Sequence, residues 1–185
     1  MEVNFEYLLQ QSNQMKNYIE RNVSALSVEK LNWKESPKKW SVLEVVSHLN
    51  KVYNKYHENF EQAISDAPKT DTDRQRMQRT ILGRMSIYSM KPKGKKRKFK
   101  MKTFNFFEPQ IDKKNVNVTL HLFLNNKDRF NSYLKESRSK KLDDIKIPTA
   151  LGEKMKFYIP ECFEFILAHE ERHMVQIKEI IEKTT

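Results

Sequence analysis

Residues 169–173 read His169-Glu170-Glu171-Arg172-His173, which places two imidazoles four residues apart. On an α-helix such positions differ by about 40° around the axis, so both rings share one face, one turn apart. That spacing lets two imidazoles reach one metal ion. His169, Glu170 and His173 also spell the HExxH string of zinc proteases. Such a protease takes a third ligand farther along, and only twelve residues follow His173. Glu170 lies about 100° from His169, toward the middle of an apolar stripe of Phe163, Ile166, Ile177 and Ile181. A carboxylate there needs a partner, a tryptophan indole or a backbone donor. Glu170 is therefore expected to anchor the helix rather than to act as a base. Spacing alone does not separate a metal site from two surface histidines.

A third ligand has to come from elsewhere in the chain. His121 lies about 140° from the centre of the apolar stripe on its own helix and is expected to face solvent. His57 sits well round the helix from His48, so the two cannot share a site. His48 lies at the edge of its stripe, beside Ser41, Glu44 and Val52. Cys162, two turns before His169 on the same side, is a conceivable fourth soft ligand, but a lone helical cysteine is more often core.

These side chains need helices to hold them. Only three glycines in 185 residues argue against a fold rich in tight turns. Apolar residues recur at helical spacing over 3–22 (Phe5, Leu8, Leu9, Met15, Ile19) and over 41–66 (Val42 to Phe60). They recur again over 115–136 (Val116, Leu120, Phe123, Phe130, Leu134) and from Pro160, a good early helical residue, to about 182. Ser41 with Glu44 three residues on reads as a capping box. A weaker helix is expected over 73–90, with Met77, Ile81, Leu82, Met85 and Tyr88 as its apolar positions. Pro148 and Gly152 read as a loop. Four long amphipathic helices with very unequal connections point to an all-α four-helix bundle, as one domain over residues 1–185.

Two phrases in these helices carry a resemblance. The WSxxEVxxHL phrase from Trp40 to Leu49 and the HxxRHxxQI phrase from His169 to Ile177 resemble those of the DinB/YfiT-like superfamily. Leu151-Gly152-Glu153-Lys154-Met155 is similar to the family's lead-in to its last helix. The resemblance spans the chain in order and is strongest over 40–49 and 148–178. It implies an up-down-down-up bundle whose long connection falls between the second and third helices, where residues 67–114 form a basic excursion. It also implies a divalent metal held by one histidine of the second helix and two of the last: His48, His169 and His173. Zinc and nickel both suit imidazole, and three imidazoles leave an open position. Around that site, Glu44 is expected to accept the spare N–H of His48 and Gln176 to line the pocket. Arg172 either holds an anionic substrate group or sits on the surface, the surface being favoured.

Some relatives transfer low-molecular-weight thiols to electrophiles, or isomerise or hydrolyse small substrates. The resemblance thus implies a metal-dependent thiol S-transferase or hydrolase acting on a small molecule, with a metal-bound water or thiol as nucleophile. The alternative is a metal-binding or stress-response protein without turnover. A third class comes from charge. The net charge is +11, and residues 91–102, KPKGKKRKFKMK, carry eight basic residues and no acid, leaving +3 for the rest. With Phe99, Phe104, Phe106 and Phe107 nearby, that run could bind nucleic acid by charge and stacking. A solvated loop is the favoured reading. No apolar run approaches the roughly 20 residues that span a bilayer, so no membrane is expected as a partner. The start MEVNFEYLLQQ lacks a secretory pattern, so a cytoplasmic protein is expected, and a homodimer by analogy with similar bundles.

Overall fold

The computed structural model describes residues 4–71, 78–94, 96–97, 105–109, 111, 115–150 and 152–184. Its described elements are mostly helical. Helix α1 (Phe5–Tyr18) starts where the Asn4 side chain accepts the Tyr7 N–H at 2.9 Å, and passes into a π-helical turn over Ile19–Val23. A short α2 (Val28–Asn32) follows. Helix α3 (Val42–Asp66) opens on the capping box expected from its sequence: Glu44 N–H donates to Ser41 Oγ at 3.2 Å, and Ser41 N–H donates to the Glu44 carboxylate at 2.8 Å. Helix α4 spans Ile81–Met90, α5 Val116–Glu136 and α6 Ile159–Glu182.

Helix α3 packs along α5, α1 lies against both α5 and α6, and α6 also meets α3 and α4. Aromatic rings join three of these helices. Phe60 of α3 stacks on Phe163 of α6 with ring centroids 4.6 Å apart, and Phe130 of α5 meets Phe163 edge-on at 5.6 Å. All three rings are fully buried. A ring in an interior of crystal-like density has few alternative positions, so this cluster fixes how the three helices lie against each other.

One expectation needs correction. The segment around Pro148 and Gly152 is not a loop. Strands β1 (Lys146–Thr149) and β2 (Gly152–Tyr158) form an antiparallel hairpin, pairing Ile147 with Phe157, with an irregularity between Pro148 and Thr149. Its apolar alternation is short and masked by lysines, while Ile147, Thr149 and Phe157 point inward. Gly152 opens β2 at φ 137°, a conformation that favours glycine. Tyr158 then leads straight into α6, and the Ile159 N–H donates to the Ile145 carbonyl at 2.9 Å.

Of the helix expected over 73–90, only Ile81–Met90 is helical among the described residues. Residues 73–77 lie outside the described residues, and α4 begins at Ile81. Ile81, Leu82, Met85 and Tyr88 face solvent, while Gly83, Ile87 and Met90 face the protein. The reason is steric. Gly83 lies against the buried Glu161 carboxylate of α6, where an added Cβ would overlap the carboxylate oxygens. Only the face without a side chain at that point can approach α6.

This contact predicts the effect of one methyl group. Gly83→Ala should destabilise the fold by roughly 1–3 kcal/mol in urea unfolding, as overpacking does. Gly83→Ala combined with Glu161→Ala should lose less than the sum of the single changes. Additive losses would show that the two residues do not meet.

Candidate metal centre

Three helical positions converge at the end of α3 nearest Trp40. His48 Nε2 lies 3.2 Å from His169 Nε2, and His173 Nε2 lies 3.2 Å from the same atom. One ligand nitrogen from each of the three residues falls within 4.8 Å of the others, and all three rings are largely buried. Two of the three remaining ring nitrogens are oriented from behind. His48 Nδ1 donates to the Phe107 carbonyl at 2.9 Å, and His173 Nδ1 donates to the Gln176 side-chain oxygen at 3.0 Å. Flat side chains flank the rings: Trp40 stacks on His173 and tilts against His48, and Phe165 stacks on His169.

Those hydrogen bonds fix the protons. A carbonyl oxygen only accepts, so neutral His48 and His173 carry their protons on Nδ1 and present bare Nε2 lone pairs. His169 can offer at most one Nε2 proton to two such neighbours, and its Nδ1 is buried without a partner. At least one pair of lone pairs therefore faces each other at 3.2 Å. A second proton is disfavoured. Burial pushes His169 and His173 well below the ordinary histidine range, each reinforced by neighbouring charge, and burial also lowers His48. A single cation satisfies all three nitrogens at once. Ligands about 2.0–2.1 Å from a tetrahedral ion stand about 3.3 Å apart, close to the separations found here.

The other sequence-selected residues fall as follows. Glu44 does not reach His48. It is held by the Ser41 backbone and by Lys34 at 2.9 Å, and the Phe107 carbonyl takes the place expected for it. Arg172 is buried rather than on the surface, and its guanidinium feels the charges of both Arg97 and Glu179. Gln176 touches the site through His173. Cys162 is core: its thiol lies 3.8 Å from the Phe157 carbonyl, and burial raises its pKa well above the usual range. His121 is exposed, as expected. His57 is buried away from the cluster, its Nε2 donating to Asn126 Oδ1 at 3.2 Å. Of the proposed stacking rings, Phe106 is exposed, Phe107 is buried, and Phe99 and Phe104 lie outside the described residues.

Glu170 is an anchor, but its partners are neither an indole nor a backbone donor. Its Oε2 accepts from Lys127 Nζ at 2.7 Å and from the Tyr53 hydroxyl at 2.6 Å. Lys127 and Glu170 are fully buried. Lys127 also lies over the Tyr53 and Phe130 rings at 5.5 and 5.4 Å. Sequence reasoning passed over Lys127, although the signal was there: it falls inside the stripe of Leu120, Phe123, Phe130 and Leu134, at a position that must face the core.

A family model described as the DinB superfamily matches residues 11–177. The chain belongs to that superfamily. Comparison with curated proteins and with solved structures gives no significant match.

Two measurements follow from this electrostatics. Lys127→Met leaves the buried Glu170 carboxylate with the Tyr53 hydroxyl but without its counter-charge, and should cost about 3–5 kcal/mol in urea unfolding. Lys127→Met with Glu170→Leu should recover most of that loss. A single variant as stable as the parent would contradict the ion pair.

The second measurement concerns acid. Burial is the chief cause that brings His57 from 6.5 to about 4. Between those values the unfolded chain binds more protons than the folded one. The contribution of His57 is thus fully present above about pH 6.5 and declines as pH falls toward about 4. His57→Gln should flatten that part of a melting-temperature profile. An unchanged profile would mean that His57 is not held neutral.

Proposed function

We propose that this DinB-superfamily chain is a metal-dependent enzyme acting on a small molecule, with His48, His169 and His173 holding a divalent ion. The observation that carries the reading is the convergence of three Nε2 atoms whose lone pairs at most one shared proton can satisfy. Neutral imidazoles suit zinc and nickel, and these two are the ions we favour. In family terms, α1, α3, α5 and α6 are read as the four helices of an up-down-down-up bundle.

A divalent ion bound there supplies Lewis acidity, lowering the pKa of a water or thiol beside it so that a nucleophile exists at neutral pH. The chain's own residues prepare the place. The Phe107 carbonyl and the Gln176 amide hold the Nδ1 protons of His48 and His173, keeping both Nε2 atoms aimed at the centre. Trp40 and Phe165 cover ring faces and limit water around the ligands. Cys162 does not act as the nucleophile, because its burial disfavours the thiolate. These features support a small electrophile attacked by an activated thiol, or a carbonyl attacked by an activated water. The burial of all three histidines favours a second reading, a protein that holds metal without turnover.

Elemental analysis of protein purified without added metal, followed by screens for thiol transfer and for ester or amide hydrolysis, tests both readings. One ion per chain and turnover in either screen are expected. His173→Ala should lose the ion and the turnover while helical circular dichroism persists, because the apolar faces pack without an ion. A variant that loses metal but keeps full activity would remove the ion from the mechanism. One metal per chain with no turnover in a broad screen would favour the holding protein.

A further inference from the structure

Helix α4 is apolar on two opposite faces. Gly83, Ile87 and Met90 turn toward the protein, and Gly83 lies against Glu161 of α6. On the other side Ile81 is 79% exposed, Met85 64%, Tyr88 66% and Leu82 48%. Ile81, Met85 and Tyr88 share roughly 60° of arc, with Leu82 about 60° beyond and Arg84 on the opposite flank. Four large side chains in water on one short helix form a patch rather than scattered exposure.

The chain that follows has the complementary property. Residues 91–102 hold eight basic residues and no acid. Lys91, Lys93 and Lys96 are exposed directly beyond the helix end. Lys93 and Lys96 close a turn by two backbone hydrogen bonds of 2.8 and 3.2 Å, with Gly94 at φ 59°. Arg97 is already engaged with Glu179 at 2.7 Å. Apolar residues and exposed lysines thus adjoin on one element and its C-terminal turn.

We infer that α4 and the described lysines after it, Lys91, Lys93 and Lys96, dock on an anionic lipid bilayer surface. The helix lies in the interface rather than crossing it; no described helix is long and apolar enough to span a membrane. Ile81, Leu82 and Met85 enter the boundary between headgroups and acyl chains, Tyr88 sits at headgroup level, and the lysines meet the anionic headgroups. Charge decides against the other occupants. A second copy would bring the same lysine run against its own. A nucleic acid would accept the lysines, but alkyl side chains gain nothing on a phosphate backbone.

The full chain is tested by co-sedimentation with vesicles of phosphatidylcholine alone and of phosphatidylcholine with phosphatidylserine, at low and physiological salt. Binding to the anionic vesicles only, weakened by salt, is expected. Near such a surface each lysine is worth on the order of fivefold, so Lys91→Gln, Lys93→Gln and Lys96→Gln together should weaken binding by about a hundredfold. Ile81→Gln, Met85→Gln and Tyr88→Gln together should weaken it by roughly tenfold or more, with unchanged helical circular dichroism because all three positions are exposed. Absence of binding to anionic vesicles at low salt overturns the proposal. So does an apolar variant that binds vesicles as the parent does; retained binding of a DNA duplex would then identify a general polyanion surface. An apolar variant that changes a dimer to a monomer while leaving vesicle binding intact would assign the face to self-association instead.

Discussion

The buried ion pair between Glu170 and Lys127, closed by the Tyr53 hydroxyl, is the contact on which the arrangement of the centre depends. It joins α6, α5 and α3 at one point, and Glu170 is the residue next to His169. A charged pair out of water tolerates little misalignment, since losing either partner leaves an uncompensated charge. The pair therefore sets the rotation of α6 about its axis. With Glu170 turned to the interior, His169 and His173 are carried to the side where α3 presents His48. The string that suggests a protease base is used here to hold a helix in place.

Around that point the apolar core and the histidine cluster occupy separate places. The stacked and edge-on rings of Phe60, Phe130 and Phe163 and the aliphatic faces of the long helices bury most of the apolar surface. The histidines lie at the edge of this core. They are close enough to the interior to be held neutral, and their lone pairs are crowded together. Crowded neutral imidazoles cost free energy that a cation would relieve, so the cluster could hold an ion without the core depending on it.

The long segment between α3 and α5 is tied to both regions. Its Phe107 carbonyl orients His48, and Lys51 Nζ of α3 donates to the neighbouring Glu108 carbonyl at 2.7 Å. Its helix α4 rests on α6 through the space left by Gly83 and turns its other apolar face outward. The connection that reads as a basic excursion thus supplies part of the site's cover and also an exposed apolar face.

The sequence alone determined the helices over 41–66, over 115–136 and from Pro160 to about 182, the capping box at Ser41 and Glu44, and the shared face of His169 and His173. Each is a local property: periodicity records a residue's angle about its own helix axis, and a cap involves residues three apart. Resemblance to the superfamily added His48, which stands 121 residues from His169. Tertiary structure alone decided which polar atoms meet. That the Phe107 carbonyl rather than Glu44 holds His48, that Lys127 answers Glu170, that Arg172 is buried, and that α4 turns Ile81 and Met85 outward all depend on how helices rotate and slide against one another. Two faces of α4 are nearly equal in apolar character, and the missing side chain at Gly83 chooses between them. No local pattern carries that information, because the steric fit and the pairing of buried charge exist only once the helices are packed.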